Sequence, residues 1–206
     1  MDDTNDLTYD FVVGIDSQPT CIAVYVHVRP RQGYKTHIMK PRTIFWQLKY
    51  FQNVKKNFDK VGQYRLAIQE ECLDYLAKID KSVIGKSLLW SAESKVKCAI
   101  EQQVDHNNLI LECYVVCAAR NLGWEVALIS AATWKAYHCI PHFGDNRSNK
   151  KESVERVKAS FLEYEVKMFA SSLGGCFSGE GKRSRIHDIC ESKLIAEAAE
   201  GLNLFN

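Results

Sequence analysis

The pattern of apolar and polar positions along the chain predicts two paired strands near its start. Residues 11–15 are an unbroken apolar run that ends in Asp16 and a polar turn over 17–20. Such a run, rich in β-branched residues, is typical of a strand buried on both faces. A second apolar run over 20–28 follows so closely that the two strands are expected to form an antiparallel hairpin. A weaker third strand is expected over residues 34–39.

The middle of the chain alternates between helical and strand patterns. Apolar residues recur every three or four positions over 58–79, which predicts a long helix with one buried face. Residues 95–102 indicate a central strand, residues 107–122 a helix that Asn107 or Asn108 caps, and residues 124–129 another strand. This strand–helix–strand unit implies parallel pairing with a right-handed crossover.

Two further helices are predicted in the last third of the chain. The first begins near Asn149, with Glu152 three residues later as in a capping box, and its apolar stripe continues to Met168. The second covers residues 187–199. Between them, residues 171–185 are rich in glycine and serine and are expected to form a mobile basic loop.

Composition limits the class of protein without deciding its function. The 206 residues are 46% hydrophobic and 25% charged, which suits one soluble domain over 1–206 with a flexible start at 1–9. The net charge of +2 is small, so any nucleic-acid binding would depend on where the charges lie. The sequence shows no secretory signal, no membrane-length apolar run and no CxxC pair among its eight cysteines. These features predict an intracellular protein of a reducing compartment, cytoplasmic or nuclear, and a viral source is also compatible.

Basic residues cluster at a few places that suit contact with a polyanion. Lys150 and Lys151 fall in the first predicted turn of their helix, where the helix dipole disfavours cations, so either phosphate contact or plain solvent exposure explains them. Residues 42–56 mix basic and aromatic side chains, which indicates either base stacking or a partly buried connection. The candidate DNA-binding residues are Lys135, Lys150, Lys151, Lys182, Arg183 and Arg185.

Two acidic residues lie on apolar strands. Asp16 ends the first strand and Glu101 lies on the central one. The residue two positions earlier, on the same face, is small in both strands: Gly14 in the first and Ala99 in the second. If these strands pair side by side, the two carboxylates are expected to face an open space. The alternatives are a turn residue for Asp16 and a solvent-facing side chain for Glu101.

Asp188 and Glu191 form an acidic pair on the last helix. They are three residues apart and therefore share a face, which continues as the apolar stripe of Ile195 and Ala198. The helix dipole also favours acids in a first turn, and this is the ordinary explanation for the pair. It does not explain why the acids lie on the stripe that is expected to face the sheet.

The four acids together point to metal chemistry. Converging carboxylates raise one another's pKa unless cations neutralise them. Ligand sets made of oxygen alone suit Mg²⁺ or Mn²⁺, and two such ions about 4 Å apart support in-line displacement at phosphorus. The residues therefore predict metal-dependent phosphodiester hydrolysis, with four catalytic metal ligands: Asp16, Glu101, Asp188 and Glu191.

The acidic motifs also carry a family resemblance. Val13-Gly14-Ile15-Asp16, Ala99-Ile100-Glu101-Gln102 and His187-Asp188-x-x-Glu191, in this order, resemble the RuvC-like Holliday junction resolvases. Trp134-Lys135 and Lys150-Lys151 are similar to features of the phage-type branch of that family, which also has poxviral and mitochondrial members. The resemblance implies an α/β ribonuclease H-like fold, with a mixed five-stranded sheet whose first three strands are antiparallel and which helices flank. It also implies a homodimer that nicks four-way DNA junctions symmetrically with two Mg²⁺ ions per site, for which Mn²⁺ is expected to substitute.

The sequence departs from the family pattern at three places, one of which is the absence from residues 17–20 of the glycine that the family often has soon after the first Asp. Glu191 stands where the family usually has Asp, and no aromatic residue follows Glu101 within 102–106, so another element must open the junction. His187 is a further candidate for the metal site. Alternatives that share the motifs are a nuclease of the same fold that acts on flaps, forks or RNA/DNA hybrids, and a non-catalytic nucleic-acid-binding protein.

Overall fold

Five strands form one mixed sheet in the computed structural model, which describes residues 8–18, 20–31, 41–51, 61–104, 106–141, 146–173 and 185–205. The strands are β1 (Tyr9–Gln18), β2 (Cys21–Pro30), β3 (Arg42–Tyr50), β4 (Lys95–Gln102) and β5 (Glu125–Ser130). Their order is β3-β2-β1-β4-β5. The strand β2 is antiparallel to both β1 and β3, whereas β4 runs parallel to β1 and β5 parallel to β4.

Helices cover both faces of the sheet. They are α1 (Val61–Ile79), α2 (His106–Asn121), α3 (Ala131–Tyr137), α4 (Asn146–Ala159), α5 (Glu163–Leu173) and α6 (Ile186–Gly201). A single π-helical turn over Asp80–Ile84 follows α1. Within the part of the chain that the structure describes, no helix is both long enough and apolar enough to cross a bilayer.

The predicted fold class is confirmed. The sheet is mixed, its first three strands are antiparallel, and its strand order is consistent with a ribonuclease H-like fold. The strand β1 is buried on both faces because helices lie on each side of it. Phe11, Val13 and Ile15 pack into the core formed with α1 and α2, whereas Val12 packs into the core formed with α6.

The third strand of the sheet lies later in the chain than predicted. The residues expected to form it, 34–39, lie outside the described residues, and β3 is instead Arg42–Tyr50. Trp46 is buried and makes ring contacts with Tyr25, Phe161 and Phe169. The suggestion that this segment stacks on bases is therefore wrong for Trp46. Within β3, Thr43, Trp46 and Leu48 are buried whereas Arg42 and Gln47 are exposed, because one face of this edge strand packs on the core.

The helix predicted from Asn149 to Met168 begins earlier and is two helices. Asn149 lies inside α4, buried, so it does not cap the helix. Lys150 and Lys151 consequently lie beyond the first turn, and the argument from the helix dipole does not apply to them. The chain leaves the helical path after Ala159, and α5 begins afresh where the Glu165 carboxylate accepts a hydrogen bond from the Leu162 backbone N–H at 3.0 Å.

The two segments predicted to be flexible are described only in part. Thr8 and Tyr9 are buried, and Tyr9 begins β1. Residues 171–173 end α5, and Arg185 immediately precedes α6. The remaining residues of both segments, 1–7 and 174–184, lie outside the described residues, and so do Lys182 and Arg183.

Gly14 allows α6 to lie directly on β1. A Cβ atom at this position would stand 2.0 Å from the Ser192 carbonyl oxygen and 2.8 Å from the Ala196 Cβ. The expectation of an open space above Gly14 is therefore wrong, because the backbone of α6 fills that space. A side chain of any size would push this helix away from the sheet.

We expect the Gly14→Ala substitution to lower the free energy of unfolding by about 3 kcal/mol, because the overlap is with backbone that cannot move aside alone. The matched control is Gly85→Ala, where the nearest atom, the Asp80 carbonyl oxygen, is 3.2 Å from the added Cβ. Denaturant unfolding of both variants checks this. Equal stability of the two would contradict the close contact between α6 and β1.

Candidate metal centre

The pairing of β1 with β4 brings Asp16 and Glu101 to one edge of the sheet. Gly14 pairs with Ala99 and Ile15 with Ile100 in parallel register. Because side chains alternate along a strand, Asp16 and Glu101 follow at neighbouring carboxyl-terminal ends and project to the same face. This is the side-by-side arrangement that the sequence predicted.

The helix α6 brings the other two acids to the same place. Asp188 and Glu191 are one turn apart on the side of α6 that contacts the sheet, and both are buried. One carboxylate oxygen from each of Asp16, Asp188 and Glu191 lies within 4.8 Å of the others. Glu101 lies beside this group, close enough for its charge to act on Asp16.

Burial and mutual repulsion make these acids hard to ionise together. Burial raises the pKa of Asp16 well above its usual value, and the charges of Asp188, Glu101 and Glu191 raise it further. Burial likewise raises the pKa of Glu101 to about 7, with Glu191 as the next contributor. The pKa of Glu191 is also about 7, again chiefly because of burial.

Two lysines lie near enough to oppose this effect. The charge of Lys135 on α3 lowers the pKa of both Glu101 and Glu191, and the charge of Lys150 on α4 lowers that of Glu191. Neither lysine offsets the effect of burial, since both glutamate pKa values stay raised. The lysines therefore offset only part of the cost of ionising these buried acids.

The acids fit a divalent cation. The Asp16 Oδ2 atom is buried and has no hydrogen-bond partner within the described part of the chain, while Oδ1 accepts a hydrogen bond from the Gln18 side-chain amide at 3.1 Å. A buried carboxylate oxygen without a partner is costly, and a bound cation removes that cost. Clustered carboxylate oxygens are the donors that hard divalent ions prefer.

Several side chains that hold the acids were not singled out from the sequence. The buried Ser153 hydroxyl on α4 donates to Glu191 Oε1 at 3.1 Å. The Cys21 thiol lies 3.9 Å from Asp188 Oδ2. The signal for Ser153 was weak: it shares a buried stripe of α4 with Asn149 and Val157 at four-residue spacing, and two of these three residues are polar.

His187 and Arg185 lie against Asp188. The His187 Nε2 atom is 2.8 Å from Asp188 Oδ1, although the two atoms are not aligned as a hydrogen bond. The Arg185 guanidinium donates to Asp188 Oδ2 at 3.3 Å. Arg185, predicted to bind DNA, is therefore held at the acidic centre, and His187 lies beside Asp188 but outside the group of three acids whose oxygens converge.

The other predicted DNA-binding residues that the structure describes lie on α3 and α4. Lys135 is half-buried, with its ammonium 5.2 Å from the centroid of the Trp134 ring. Lys150 and Lys151 are exposed, and Lys151 forms an ion pair with Glu155 at 3.5 Å. The charges of Lys135 and Lys150 act on Glu191, so both lysines lie near the acids. Lys151 is the neighbour of Lys150 on the same helix.

Comparison with known proteins gives distant likenesses of the fold. The chain matches no protein-family model and no curated protein sequence. Among solved structures it is similar to Thermus thermophilus RuvC, at 14% identity over 94% of this chain and 97% of that one, with a TM-score of 0.49. It is also similar to T. thermophilus RuvC in complex with Holliday junction substrate, at 13% identity, 96% and 97% coverage and a TM-score of 0.46. A Ppx/GppA family member from Aquifex aeolicus is similar at 16% identity, 64% and 39% coverage and a TM-score of 0.36.

We expect Glu101→Gln to stabilise the metal-free protein at pH 8. The Glu101 pKa is about 7 in the folded protein against 4.5 as the ordinary value, so the folded state binds more protons between these values. The free energy of unfolding therefore falls as pH rises from about 4.5 to 7, and the full cost of ionising Glu101 in the folded protein is present above pH 7. The amide removes that cost, which is about 1–3 kcal/mol at pH 8 and close to zero at pH 4. Denaturant unfolding in the presence of a chelator measures it.

The control for this experiment is Glu152→Gln on the exposed side of α4, where the carboxylate pairs loosely with Arg156 at 3.9 Å. Its stability should follow that of the unmodified protein at both pH values. A Glu101→Gln variant that is less stable at pH 8 than the unmodified protein would contradict the repulsion among the four acids.

Proposed function

We propose that this protein is a divalent-metal-dependent endonuclease that resolves four-way DNA junctions. The observation that carries the proposal is the convergence of Asp16, Asp188 and Glu191 within 4.8 Å, with Glu101 beside them, in a buried setting. Buried acids that repel one another are unfavourable for folding, so their presence together is explained best by a ligand that is positively charged.

The four carboxylates would hold the metal, with Mg²⁺ as the expected ion and two ions per site. A bound divalent ion supplies charge neutralisation at the reacting phosphate and lowers the pKa of water. The chain itself contributes the positions of the ligands: Gln18 holds one oxygen of Asp16, and Arg185 holds one oxygen of Asp188. Lys135 and Lys150 add positive charge at the side of the centre where a phosphate must approach.

The junction as substrate rests on the ordered motifs around Asp16, Glu101 and Asp188, which resemble those of the RuvC-like resolvases. A four-way junction has two-fold symmetry, so a homodimer with one acidic centre in each copy would cut two opposed strands. The basic residues Lys182 and Arg183 precede Arg185 in sequence, and Arg185 lies at the centre. We therefore place the DNA backbone along α3, α4 and the start of α6.

The unmodified protein should nick a synthetic four-way junction in Mg²⁺, at symmetric positions in two opposed strands, whereas Asp16→Asn should bind the junction without cutting it. The amide keeps the size of the side chain but removes the charge that the metal requires. Gel analysis of junctions labelled on each strand in turn, with and without Mg²⁺, measures both cleavage and its symmetry.

The matched control is Asp10→Asn, at the opposite end of the same strand, where the carboxylate pairs with Arg31 and Lys97. This variant should still cut. Equal cutting by Asp16→Asn would contradict the metal site itself. Faster cutting of linear duplex, flaps, forks or RNA/DNA hybrids than of junctions would contradict the junction as substrate. It would still support the proposal that the protein is a nuclease.

Replacing Lys150 by Gln should weaken junction binding and reduce its salt dependence. A phosphate contact releases counterions, so its loss lowers the slope of log K against log salt by about 1. Binding is measured in the Asp16→Asn background so that the junction stays intact. The control is Lys81→Gln, on the π-helical turn after α1 at the other face of the sheet, whose slope should be unchanged. Equal slopes for both variants would remove Lys150 from the DNA path.

A further inference from the structure

Ser153 is a fully buried hydroxyl that lies outside the set of acids. It is on α4, and its Oγ is 3.1 Å from Glu191 Oε1 on α6. The same Oγ is 3.1 Å from the carbonyl oxygen of Asn149, one turn earlier in α4. A hydroxyl has one proton, so it can donate to only one of these acceptors at a time. The carboxylate is the stronger acceptor when it is ionised, and the proton therefore goes to Glu191.

The contact matters because Glu191 has the longest side chain of the three acids whose oxygens lie within 4.8 Å of one another. Asp16 and Asp188 each have two side-chain torsions, and each has an oxygen held by Gln18 or Arg185. Glu191 has one more methylene group and one more torsion, which would let its carboxylate swing away from the other two. Among the side-chain hydrogen bonds of the described residues, the Ser153 hydroxyl holds Glu191 in the way that Gln18 holds Asp16.

We propose that Ser153 is a positioning residue for the metal centre, which fixes the Glu191 carboxylate so that its second oxygen is directed at the ion. This inference rests on the proposed function. The hydrogen bond fixes the outermost torsion of Glu191 before an ion arrives, and so reduces the entropy that the ligand would lose on binding. It also couples α4, which carries Lys150, to the geometry of the acidic centre. A hydroxyl that orients a metal ligand in this way typically changes metal affinity by tenfold or more.

The test measures metal binding directly, in protein without DNA. Isothermal titration with Mn²⁺ should give about tenfold weaker binding for Ser153→Ala than for the unmodified protein. The matched control is Ser192→Ala, which removes a hydroxyl of equal burial that donates to the Ile189 carbonyl oxygen at 2.7 Å. Its Mn²⁺ affinity should be unchanged. Ser153→Thr keeps the hydroxyl and should recover most of the affinity.

Cleavage assays separate positioning from chemistry. For Ser153→Ala, the Mg²⁺ concentration that gives half-maximal junction cleavage should rise by about the same factor as the Mn²⁺ dissociation constant. The rate at saturating Mg²⁺ should change little, because the ligands are all still present. If the saturated rate falls and the Mg²⁺ requirement does not change, Ser153 is not a positioning residue and the proposal is wrong.

A double-mutant cycle shows whether Ser153 acts through Glu191. In Glu191→Asp the shorter side chain withdraws the carboxylate from the hydroxyl, so Ser153→Ala should have little further effect on metal affinity in that background. Full additivity of the two changes would overturn the proposal. If Ser153→Ala fails to fold by circular dichroism, Ser153→Cys, which is close in size and a poor donor, replaces it in every measurement.

The outcomes keep this proposal apart from the proposed function. If the unmodified protein binds Mn²⁺ and Ser153→Ala binds it equally well, the role of Ser153 is refuted and the nuclease proposal stands. If the unmodified protein binds no Mn²⁺ at all, both proposals are refuted. Weaker binding by Ser153→Ala alone, with Ser192→Ala unchanged and additivity lost in the cycle, supports the assignment.

Discussion

The structure depends on the close contact between α6 and β1. The absence of a side chain at Gly14 lets the helix backbone rest on the strand, and this brings Asp188 and Glu191 against Asp16. The same contact buries the acids and so raises the cost of ionising them. The apolar surface that α6 buries offsets the cost of ionising the acids. It is contributed by Ile189, Leu194, Ile195, Ala198 and Ala199. The helix is therefore held by its apolar residues in a position that its acidic residues oppose.

Charged groups at the other end of α6 are arranged differently. Lys193 is buried and forms an ion pair with Glu165 of α5 at 2.8 Å, and Glu200 is paired with both His27 and Arg29 at 2.7 Å. Buried charges with partners of this kind are a structural feature that needs no ligand. At the first turns of the same helix, Asp188 and Glu191 face Asp16, and among the described residues Asp16 Oδ2 has no hydrogen-bond partner even though Arg185 pairs with Asp188. This contrast within one helix separates a structural ion-pair network from a candidate cation site.

Four of the five strands and the spacing of the acids were predictable from local patterns, whereas β3, the helix boundaries and the supporting residues were not. Strand periodicity placed Asp16 and Glu101 on one face, and three-residue spacing placed Asp188 with Glu191, because both periods are fixed by backbone geometry. The identity of β3 was missed because this edge strand mixes exposed polar residues with residues that are only partly buried, so that Thr43, Trp46 and Leu48 alone are buried. Ser153 was missed because a serine within a helix is ordinarily taken as solvent-facing. Only the packing of α4 on α6, which no local pattern encodes, brings its hydroxyl to Glu191.

The balance of charge argues for an enzyme over a protein that only binds nucleic acid. Lysines placed at a surface attract a phosphate backbone, whereas a cluster of carboxylates beside them repels it. A protein selected for binding alone would lose affinity by keeping Asp16, Asp188 and Glu191 next to Lys135 and Lys150. The arrangement becomes favourable once a divalent cation neutralises the acids, since the same ion then attracts the phosphate that the lysines approach. Under the proposed function, metal binding and DNA binding at this centre are expected to strengthen each other, because each ligand removes a repulsion that the other would meet.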